Sequence, residues 1–380
     1  MKHVVQLIPT LDRIGGAERQ LLLLAHGLLR RGWRVSVGSL SGQGGGADLR
    51  AAGADFFSLR MRHGLADPGG WLRWRKWLRR AAPDVVHAHL PHAAWLARWS
   101  RLAVPFPVLI DTLHSSSVGT AGRQLGYRFS RWLPDGVTAV GQAVAAAHLA
   151  AGMVDPARIT VLPNGVDVEF WKPDPAARAA LRRDLGLGEE FLWLAAGRID
   201  PVKDFSSLLR AFTRLQAPVR LVIAGSGPHE VETRRLSALL GLEERVRFLG
   251  FVPNLLPWMQ AADGFVLSSR WEGLPMTLLE AAACALPAVA SDVAGSNEVV
   301  LHEETGFLTP AGSAMALGEA MNRLMQAPVE ERRALGLRAR RRAVERYSLE
   351  AVLDRWEALY SDLLSRSPRP KRWGGGGERG

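Results

Sequence analysis

The feature that most constrains the fold of this chain is a series of short apolar runs, each followed by a loop and then by a helical pattern. The first run is HVVQLIPTL at residues 3–11, followed by a helical pattern at residues 15–32 and a second strand-like run at residues 33–40. Continuously apolar strands that alternate with helices are typical of a parallel sheet with helices on both faces. The sequence therefore predicts an α/β fold that begins with a βαβ unit.

The alternation restarts near residue 190, after the proline-rich segment LPNGVDVEFWKPDPAA. Further strand-like runs lie before this segment in DVVHAHL, PVLIDTLH and GVTAVG, and after it in FLWLAAG, VRLVIAG, VRFLGFV, GFVLSS and PAVAS. Because 380 residues suit about two domains, we predict two doubly wound, Rossmann-like domains at residues 1–170 and 171–347 that face a central cleft. Residues 366–380 form a basic, glycine-rich tail that we predict to be disordered.

Composition limits the class of protein. The single cysteine, Cys284, excludes an intramolecular disulfide and a cysteine-based metal cage. The N-terminal segment lacks a signal-peptide pattern, and no apolar run approaches the ~20 residues of a membrane-spanning helix, so we expect a cytoplasmic protein. The net charge of +11 favours anionic partners, but it does not choose among nucleotides, nucleic acid and an anionic membrane.

Residues 71–80, WLRWRKWLRR, form an amphipathic helical pattern. Trp71, Trp74 and Trp77 share one face, and five basic residues occupy the other. Basic faces interleaved with tryptophan suit peripheral binding to anionic lipid. The alternative is that the tryptophans pack on the N-terminal sheet and the basic residues form a solvated face.

Glu280 is a candidate binding residue because it lies in an apolar helical pattern. Pro275 suits the first turn of a helix that continues as MTLLEAAACAL, in which we find no polar face for a carboxylate. A buried carboxylate needs hydrogen-bond donors, which the two adjacent hydroxyls of a ribose would supply. The alternative is an ordinary solvated glutamate.

Glu272 precedes this helix in the sequence SSRWEGLP. We expect the amides of Gly273, Leu274 and Met276 to point toward the cleft, because helix N-termini attract anions and hydroxyl oxygens. Glu272 would then hold hydroxyls of a bound sugar. The alternative is a loop glutamate in solvent.

Two cations lie in the loop AAGRIDPVKDF, between a predicted strand and the next helix. Arg198 and Lys203 could neutralise the charge that grows on a departing pyrophosphate, which a metal ion would otherwise do. We predict no metal site and no cofactor. The alternative for each cation is a surface salt bridge.

Two glycine-rich turns follow predicted strands. IAGSGP contains Gly225, where the backbone could approach a nucleotide, although a tight turn without a ligand explains the glycines equally well. IGGAE places Gly15 and Gly16 at a helix N-terminus, which suits contacts to phosphate.

Three histidines end strand-like runs, namely His87, His89 and His114. Most histidines in such positions are structural. We single out His114 as a hydrogen-bond donor to a substrate, because it follows the strand that ends at the predicted cleft.

Nine motifs occur in one order along the chain: IGGAE, DVVHAH, TLH, LPNGVD, GRIDPVKD, VIAGSGP, VRFLGF, the pair Glu272 and Glu280 eight positions apart, and TGFL. In this order and over almost the whole chain they resemble the retaining glycosyltransferases of family 4, which have the two-domain GT-B architecture. The chain departs from the commonest pattern at DVAGSNEVV, where Ser296 stands in place of a second glycine. The resemblance also implies that the last helix, residues 348–365, returns to the N-terminal domain.

The resemblance implies roles for individual residues. Arg198 and Lys203 fall on positions that hold the donor diphosphate, Glu280 on the glutamate that binds the ribose, and Glu272 on the residue that contacts the transferred sugar. The complete predicted site consists of the catalytic residues Arg198, Lys203, Glu272 and His114 and the donor-binding residues Gly15, Gly16, Gly225, Arg247, Phe248, Gly273, Leu274, Met276 and Glu280.

The activity implied by the resemblance is transfer of a hexose from a nucleotide-diphosphate sugar to an acceptor hydroxyl, with retention and without a metal. The N-terminal domain would bind the acceptor and the C-terminal domain the donor. A basic surface at residues 71–80 would suit a lipid-linked or envelope glycan at the inner face of a membrane. A non-catalytic protein that binds nucleotide or nucleic acid is the main alternative, but no nucleic-acid recognition motif supports it.

Overall fold

The computed structural model describes residues 1–62, 67–216 and 218–367, which form two compact units. Unit 1 contains Met1–Val140, Val144–Leu162 and the chain from Leu353 onward, and unit 2 contains Gly141–Ala143 and Pro163–Val352. Among the described residues, no helix is both long enough and apolar enough to cross a bilayer.

Unit 1 is built on a parallel sheet that, in the described residues, has seven strands in the order β3-β2-β1-β4-β5-β6-β7. The strands are β1 (His3–Ile8), β2 (Arg34–Ser39), β3 (Asp55–Ser58), β4 (Val85–His89), β5 (Val108–Leu113), β6 (Gly136–Ala139) and β7 (Ile159–Val161). The helices are α1 (Gly16–Arg30), α2 (Gly46–Ala51), α3 (Pro68–Ala81), α4 (Pro91–Ala103), α5 (Ala121–Ser130) and α6 (Gln142–Ala150). Strands β1, β4 and β5 are buried along their whole length, as their apolar sequences predict.

Unit 2 repeats this plan with a parallel sheet that, over its described residues, has six strands in the order β10-β9-β8-β11-β12-β13. The strands are β8 (Phe191–Ala196), β9 (Val219–Ala224), β10 (Val246–Gly250), β11 (Gly264–Leu267), β12 (Ala288–Ser291) and β13 (Gly306–Thr309). The helices are α7 (Pro175–Asp184), α8 (Phe205–Phe212), α9 (Glu230–Leu239), α10 (Leu256–Ala261), α11 (Met276–Ala283), α12 (Ser296–Val299), α13 (Ala314–Gln326) and α14 (Val329–Tyr347). Each unit is thus a doubly wound, Rossmann-like domain, as the sequence predicts.

The segment after Leu162 belongs to unit 2, so the boundary lies at Pro163 rather than at residue 171. The Asn164 side-chain amide donates to the carbonyl of Leu274 at 2.9 Å, and the Val166 amide donates to the carbonyl of Tyr347 at 2.7 Å. These bonds are the reason that the proline-rich segment is part of a unit rather than a free linker.

The last helix, α15 (Leu349–Arg366), starts in unit 2 and continues in unit 1 from Leu353. Leu353 packs so closely on Gly27 of α1 that a larger side chain at position 27 would overlap it. The indole N–H of Trp33 donates to Glu357 at 2.7 Å. Because α15 includes Arg366, the predicted disorder does not begin there, and the rest of that prediction lies outside the described residues from 368 onward.

Two tryptophans of α3, Trp74 and Trp77, face the sheet of unit 1. Trp74 is fully buried, and the ring of Trp77 stacks on Phe57 of β3 with 4.2 Å between ring centroids. For these two side chains the structure supports the alternative in which the tryptophans pack on the sheet, whereas Trp71 is half-buried. The exposed positions of α3 are Pro68, Leu72, Arg73, Arg75, Lys76, Arg79 and Arg80.

Candidate functional site

The order of the strands in unit 2 places a switch point between β8 and β11. From β8 the chain winds through β9 and β10 on one side, and it then returns to β11 on the other side. The loops that follow β8 and β11 therefore leave neighbouring strands at the same edge of the sheet. In doubly wound sheets this is where ligands bind.

Lys203 and Glu272 join these two loops. Lys203 Nζ donates to Glu272 Oε1 at 2.5 Å, and the hydroxyl of Ser269 donates to the same oxygen at 2.6 Å. The side chains of Lys203 and Glu272 are only 18% and 10% exposed, so this ion pair is shielded from water. The predicted diphosphate cation and the predicted sugar contact thus lie within hydrogen-bonding distance of each other.

Arg198 lies in the same loop as Lys203 but in a different environment. Its side chain is 63% exposed, and its nearest acidic partner is Asp200, with 3.8 Å between Arg198 Nε and Asp200 Oδ2. A weak, solvent-exposed ion pair of this kind leaves the guanidinium able to turn toward an anion.

Glu280 lies in the middle of α11 and is fully buried. The helix packs against β11, β12 and α14, and almost all of its residues are buried, which excludes the alternative of a solvated glutamate. Pro275 is the N-cap of α11 rather than a residue of its first turn. Within the described part of the chain, the amides of Gly273, Leu274 and Met276 donate no hydrogen bond to the protein, as is common for the amides that begin a helix.

Cys284 follows α11 directly and is also buried. Burial, with a smaller contribution from the nearby Glu280, raises the pKa of its thiol to about 12. The side chain is therefore a neutral thiol at physiological pH, and it is not a nucleophile.

Gly225 is required by the packing of one loop on another. Its φ of +143° is unfavourable for other residues, and a Cβ there would overlap the carbonyl oxygen of Gly197 in the loop after β8. A Cβ at Gly227 would overlap the carbonyl of Ile199 in the same way. These contacts support the alternative stated for this motif, a tight turn whose glycines serve the protein backbone.

Arg247 and Phe248 lie in β10, at the edge of the sheet. Arg247 is exposed, whereas the Phe248 ring packs against the core of unit 2 and under the guanidinium of Arg234, at 4.7 Å. The phenyl ring of Phe248 is therefore part of the protein packing. Of the two side chains, Arg247 is the one that could reach a ligand.

Three residues that support the site were not among the predicted residues. Ser269 is fully buried and bonded to Glu272, Asn164 holds the carbonyl of Leu274, and Gly295 approaches Gly273 so closely that a Cβ would overlap its carbonyl oxygen. Asn164 lies in LPNGVD, one of the family motifs, and this is the signal that could have identified it. The Ser269–Glu272 bond is local, since the two residues are three positions apart. Gly295 and Gly273 belong to segments that no local pattern connects.

In unit 1 the switch point lies between β1 and β4, and two predicted glycines follow β1. Gly15 is the N-cap of α1, and its amide donates to Glu18 Oε2 at 3.0 Å. That amide is therefore used by the protein in this structure, and the predicted phosphate contact at this helix N-terminus stays a prediction that rests on Gly16. Gly16, the first residue of α1, is exposed.

The three predicted histidines lie together in unit 1. A hydrogen bond of 3.0 Å joins His89 Nδ1 to His114 Nε2, and His87 is bonded to Tyr360 Oη at 2.7 Å and to Thr112 Oγ1 at 2.6 Å. His87 is thus a structural histidine. His114 has only Nδ1 left for a substrate.

Burial sets the charge of these histidines. It lowers the pKa of His114 to about 4 and lowers the pKa values of His87 and His89 well below the usual value. All three rings are therefore neutral at physiological pH. His114 can act there as a neutral hydrogen-bonding group and not as a cation.

Two family models match the chain and together span most of it. Glycosyltransferase Family 4 matches residues 14–170, and Glycosyl transferases group 1 matches residues 177–342. The alpha-maltose-1-phosphate synthase of Mycolicibacterium smegmatis is 30% identical over 73% of this chain and 79% of its own length. The chain is a family 4 glycosyltransferase.

Two further likenesses describe the relatives of this family 4 glycosyltransferase. An Escherichia coli protein named UDP-Gal:alpha-D-GlcNAc-diphosphoundecaprenol alpha-1,3-galactosyltransferase is 26% identical over 76% of this chain and 78% of its own length. The crystal structure of Anabaena HepE in complex with UDP and glucose matches with a TM-score of 0.84 and 22% identity, over 95% of this chain and 100% of that chain. The latter likeness shows the GT-B fold.

Proposed function

We propose that this family 4 glycosyltransferase moves a hexose from a nucleoside diphosphate sugar to an acceptor hydroxyl, with retention of the anomeric configuration and without a metal ion. The observation that carries the proposal is the shielded Lys203–Glu272 pair at the carboxyl ends of β8 and β11, with the buried Glu280 in the helix that follows. In this proposal unit 2 binds the donor and unit 1 binds the acceptor.

The ion pair suggests how the donor is recognised. Before the donor binds, Glu272 compensates the charge of Lys203 in a place with little water. A diphosphate would compete for the ammonium group, and the carboxylate of Glu272 would then accept hydrogen bonds from the hydroxyls of the sugar. Arg198, which is exposed, would add a second positive charge to the diphosphate.

The buried carboxylate of Glu280 suits the two adjacent hydroxyls of a ribose. The amides of Gly273, Leu274 and Met276, at the start of α11, would donate to phosphate or sugar oxygens. A nucleoside diphosphate presents a ribose and two phosphates within reach of one helix terminus, so it would use both kinds of group.

The reaction that fits these groups breaks the bond between the anomeric carbon and the diphosphate oxygen. Lys203 and Arg198 stabilise the charge on the departing nucleoside diphosphate, while the acceptor oxygen attacks from the same face. The proton of the acceptor hydroxyl passes to the diphosphate oxygen that leaves. We assign no covalent intermediate, because no side chain of the site is an evident nucleophile.

The name of the Escherichia coli relative includes a lipid-linked acceptor, and the basic face of α3 would suit an anionic surface. We therefore propose a lipid-linked or envelope glycan as the acceptor, and a peripheral position at the cytoplasmic face of a membrane.

A thermal-shift screen with nucleoside diphosphate sugars tests the donor, because a ligand that binds only the native state raises the melting temperature. Transfer assays with the donor that emerges, with and without EDTA, then test metal independence, and NMR of the product tests retention. Loss of transfer in EDTA, or a product with inverted configuration, would refute the corresponding part of the proposal.

A further inference from the structure

Unit 1 has a group of large apolar side chains that are exposed to solvent on α4, α5 and the turn that follows α5. The exposed fractions are 44% for Trp99, 59% for Leu102, 53% for Leu125, 67% for Phe129 and 58% for Trp132. Single exposed apolar residues are ordinary, but a cluster of aromatic and aliphatic side chains on adjacent helices marks an interaction surface. We name these five residues the α4–α5 patch.

The two helices that form the patch lie side by side. The ring of Trp95 lies against Gly126, so closely that a Cβ at position 126 would lie 2.6 Å from it. One turn further along, Arg98 Nη1 donates to Ser130 Oγ at 2.9 Å, and after another turn Arg101 Nη1 donates to the carbonyl of Leu133 at 2.9 Å. These contacts join α4 to α5 and to the turn after α5 over nearly two helical turns, so the exposed sides of the two helices form one surface.

The charge around the patch is positive. Arg128 and Arg131 are exposed between its apolar residues. Between residues 68 and 134 the only acidic residues are Asp84 and Asp111. Asp111 is 1% exposed and bonded to Arg98, and Asp84 accepts a hydrogen bond from the amide of His3. Asp135, which follows the patch in sequence, is partly exposed and paired with Arg101 at 2.5 Å. The patch therefore lies beside exposed basic groups, and these three acids are hydrogen-bonded within the protein.

Helix α3 extends the basic region, since it packs against α4. Its exposed side carries Arg75, Lys76, Arg79 and Arg80, whereas Trp74 and Trp77 are turned to the sheet. Leu72 is the large apolar side chain that α3 exposes. The large apolar groups that could enter a lipid headgroup layer therefore lie mostly on α4 and α5, and α3 adds mainly charge.

We propose that the α4–α5 patch binds the surface of an anionic bilayer. Phenylalanine, tryptophan and leucine enter the headgroup layer, and the arginines contact lipid phosphates. An anionic bilayer is the occupant that fits both properties of the surface, because it buries apolar side chains and attracts cations. The inference rests on the proposed function, in which the acceptor is lipid-linked, and it places the contact on α4 and α5 instead of on residues 71–80.

Co-sedimentation with vesicles of phosphatidylcholine, with and without phosphatidylglycerol, tests the proposal. We expect the wild type to bind the vesicles that contain phosphatidylglycerol at low salt. The variant Phe129→Ser/Trp132→Ser should lower the partition coefficient by about tenfold or more, because both side chains leave the lipid. The control Val231→Ser/Leu239→Ser removes two apolar residues of α9 in unit 2 that are more exposed than Phe129 and Trp132, and it should bind like the wild type.

Quenching of tryptophan fluorescence by brominated lipid gives a second readout. Trp99→Phe/Trp132→Phe keeps the patch apolar, so it should bind vesicles and lose most of the quenching. Quenching that persists in this variant would place the contact elsewhere, for example at α3, and would overturn the proposal.

Three other results would also overturn it. The first is that the wild type does not bind vesicles. The second is that Phe129→Ser/Trp132→Ser binds vesicles as strongly as the wild type. The third is that, in sedimentation velocity, the wild type is a dimer and this variant a monomer, which would make the patch an interface between copies. Vesicle binding without stabilisation by any nucleotide sugar would refute the proposed donor and leave the surface intact, so the two failures are distinguishable.

Discussion

The ammonium group of Lys203 is held between two loops by Glu272, whose other partner is Ser269. A charged pair with so little water around it is costly unless further hydrogen bonds satisfy it, and Ser269 supplies one of them. Removal of either charge takes away an ion-pair partner of the other. The pair is therefore a sensitive point for activity, and each variant needs a check of its folding.

Lys203→Ala should lower the turnover of sugar transfer by at least about a hundredfold, because one preorganised contact to the leaving diphosphate is worth about 3 kcal/mol. A steady-state transfer assay measures this. The matched control is Lys172→Ala, an exposed lysine of unit 2 paired with Glu169, for which we expect wild-type turnover. Comparable turnover in both variants would show that Lys203 does not act on the diphosphate.

Glu280→Gln should weaken binding of the nucleoside diphosphate by about tenfold or more, since hydrogen bonds to a charged group are worth about 1.5–3 kcal/mol. The substitution keeps the shape of the side chain in the fully buried site. Isothermal titration calorimetry measures the affinity, with Glu345→Gln on the exposed side of α14 as the control. An unchanged dissociation constant for Glu280→Gln would remove Glu280 from the ribose site.

The loop after β9 packs directly on the loop after β8, and glycines make this close contact possible. Gly225 and Gly227 let one backbone approach the carbonyls of Gly197 and Ile199 in the other. The same device recurs where Gly295 meets Gly273 in front of α11. The loops at the carboxyl ends of these strands are thus in direct contact, which limits the positions that Lys203 and Glu272 can adopt.

Gly225→Ala should destabilise unit 2 by about 3 kcal/mol, through the unfavourable φ and the overlap with Gly197 together. Gly241→Ala, at a φ of +67° with open space around the added Cβ, should cost only about 1 kcal/mol. Urea unfolding of both variants separates the contact from the backbone strain. If Gly225→Ala and Gly241→Ala lost the same free energy of unfolding, the loops would be able to move apart and relieve the overlap with Gly197 without cost.

Sequence analysis did not predict two of the strands of unit 1. β3 and β7 are short, and they lie at the two edges of the sheet. Edge strands are partly exposed, so they lack the continuous apolar run that identifies β1 or β5. In unit 2 the missed strand was again an edge strand, β13.

The whole chain consists of two similar units, and unit 1 contains segments from both ends of the sequence. Helix α15 contributes Tyr360 to the buried histidines of β4 through its bond to His87. The stability of unit 1 therefore depends on residues near the C-terminus and on histidines that must remain neutral.

Stability should fall as the pH is lowered from about 6.5 toward about 4, because unfolded histidines take up protons near 6.5 whereas His114 in the folded state has a pKa of about 4. Above about pH 6.5 the contribution of His114 to the free energy of unfolding is constant. His87 and His89, whose pKa values are also lowered by burial, add to the same slope.

In His114→Gln one of these groups is absent. The stability difference between wild type and His114→Gln should therefore change by up to about 1.4 kcal/mol per pH unit in this range. Urea unfolding at several pH values measures it. The exposed His92 provides the control variant His92→Gln, which should follow the wild type. Parallel curves for wild type and His114→Gln would contradict the lowered pKa and the neutral state of His114.

The amino-acid sequence determined the fold class, the two sheets, most of their strands, and the residue types that lie at the strand ends. Apolar runs and helical periods are local properties, because burial on both faces of a strand requires apolar residues in direct succession. The sequence also identified Glu280 as a buried acid, because a segment of about ten residues is long enough to show that a helix has no polar face.

The tertiary structure decided which of these residues meet. Lys203 and Glu272 are far apart in sequence, and only the adjacency of β8 and β11 brings them into contact. It also decided that Gly225 serves loop packing, that the Gly15 amide is used by Glu18, and that Trp74 of α3 is buried while the tryptophans at positions 99 and 132 are exposed. An amphipathic pattern defines two faces of a helix, but the elements packed around it determine which face is covered.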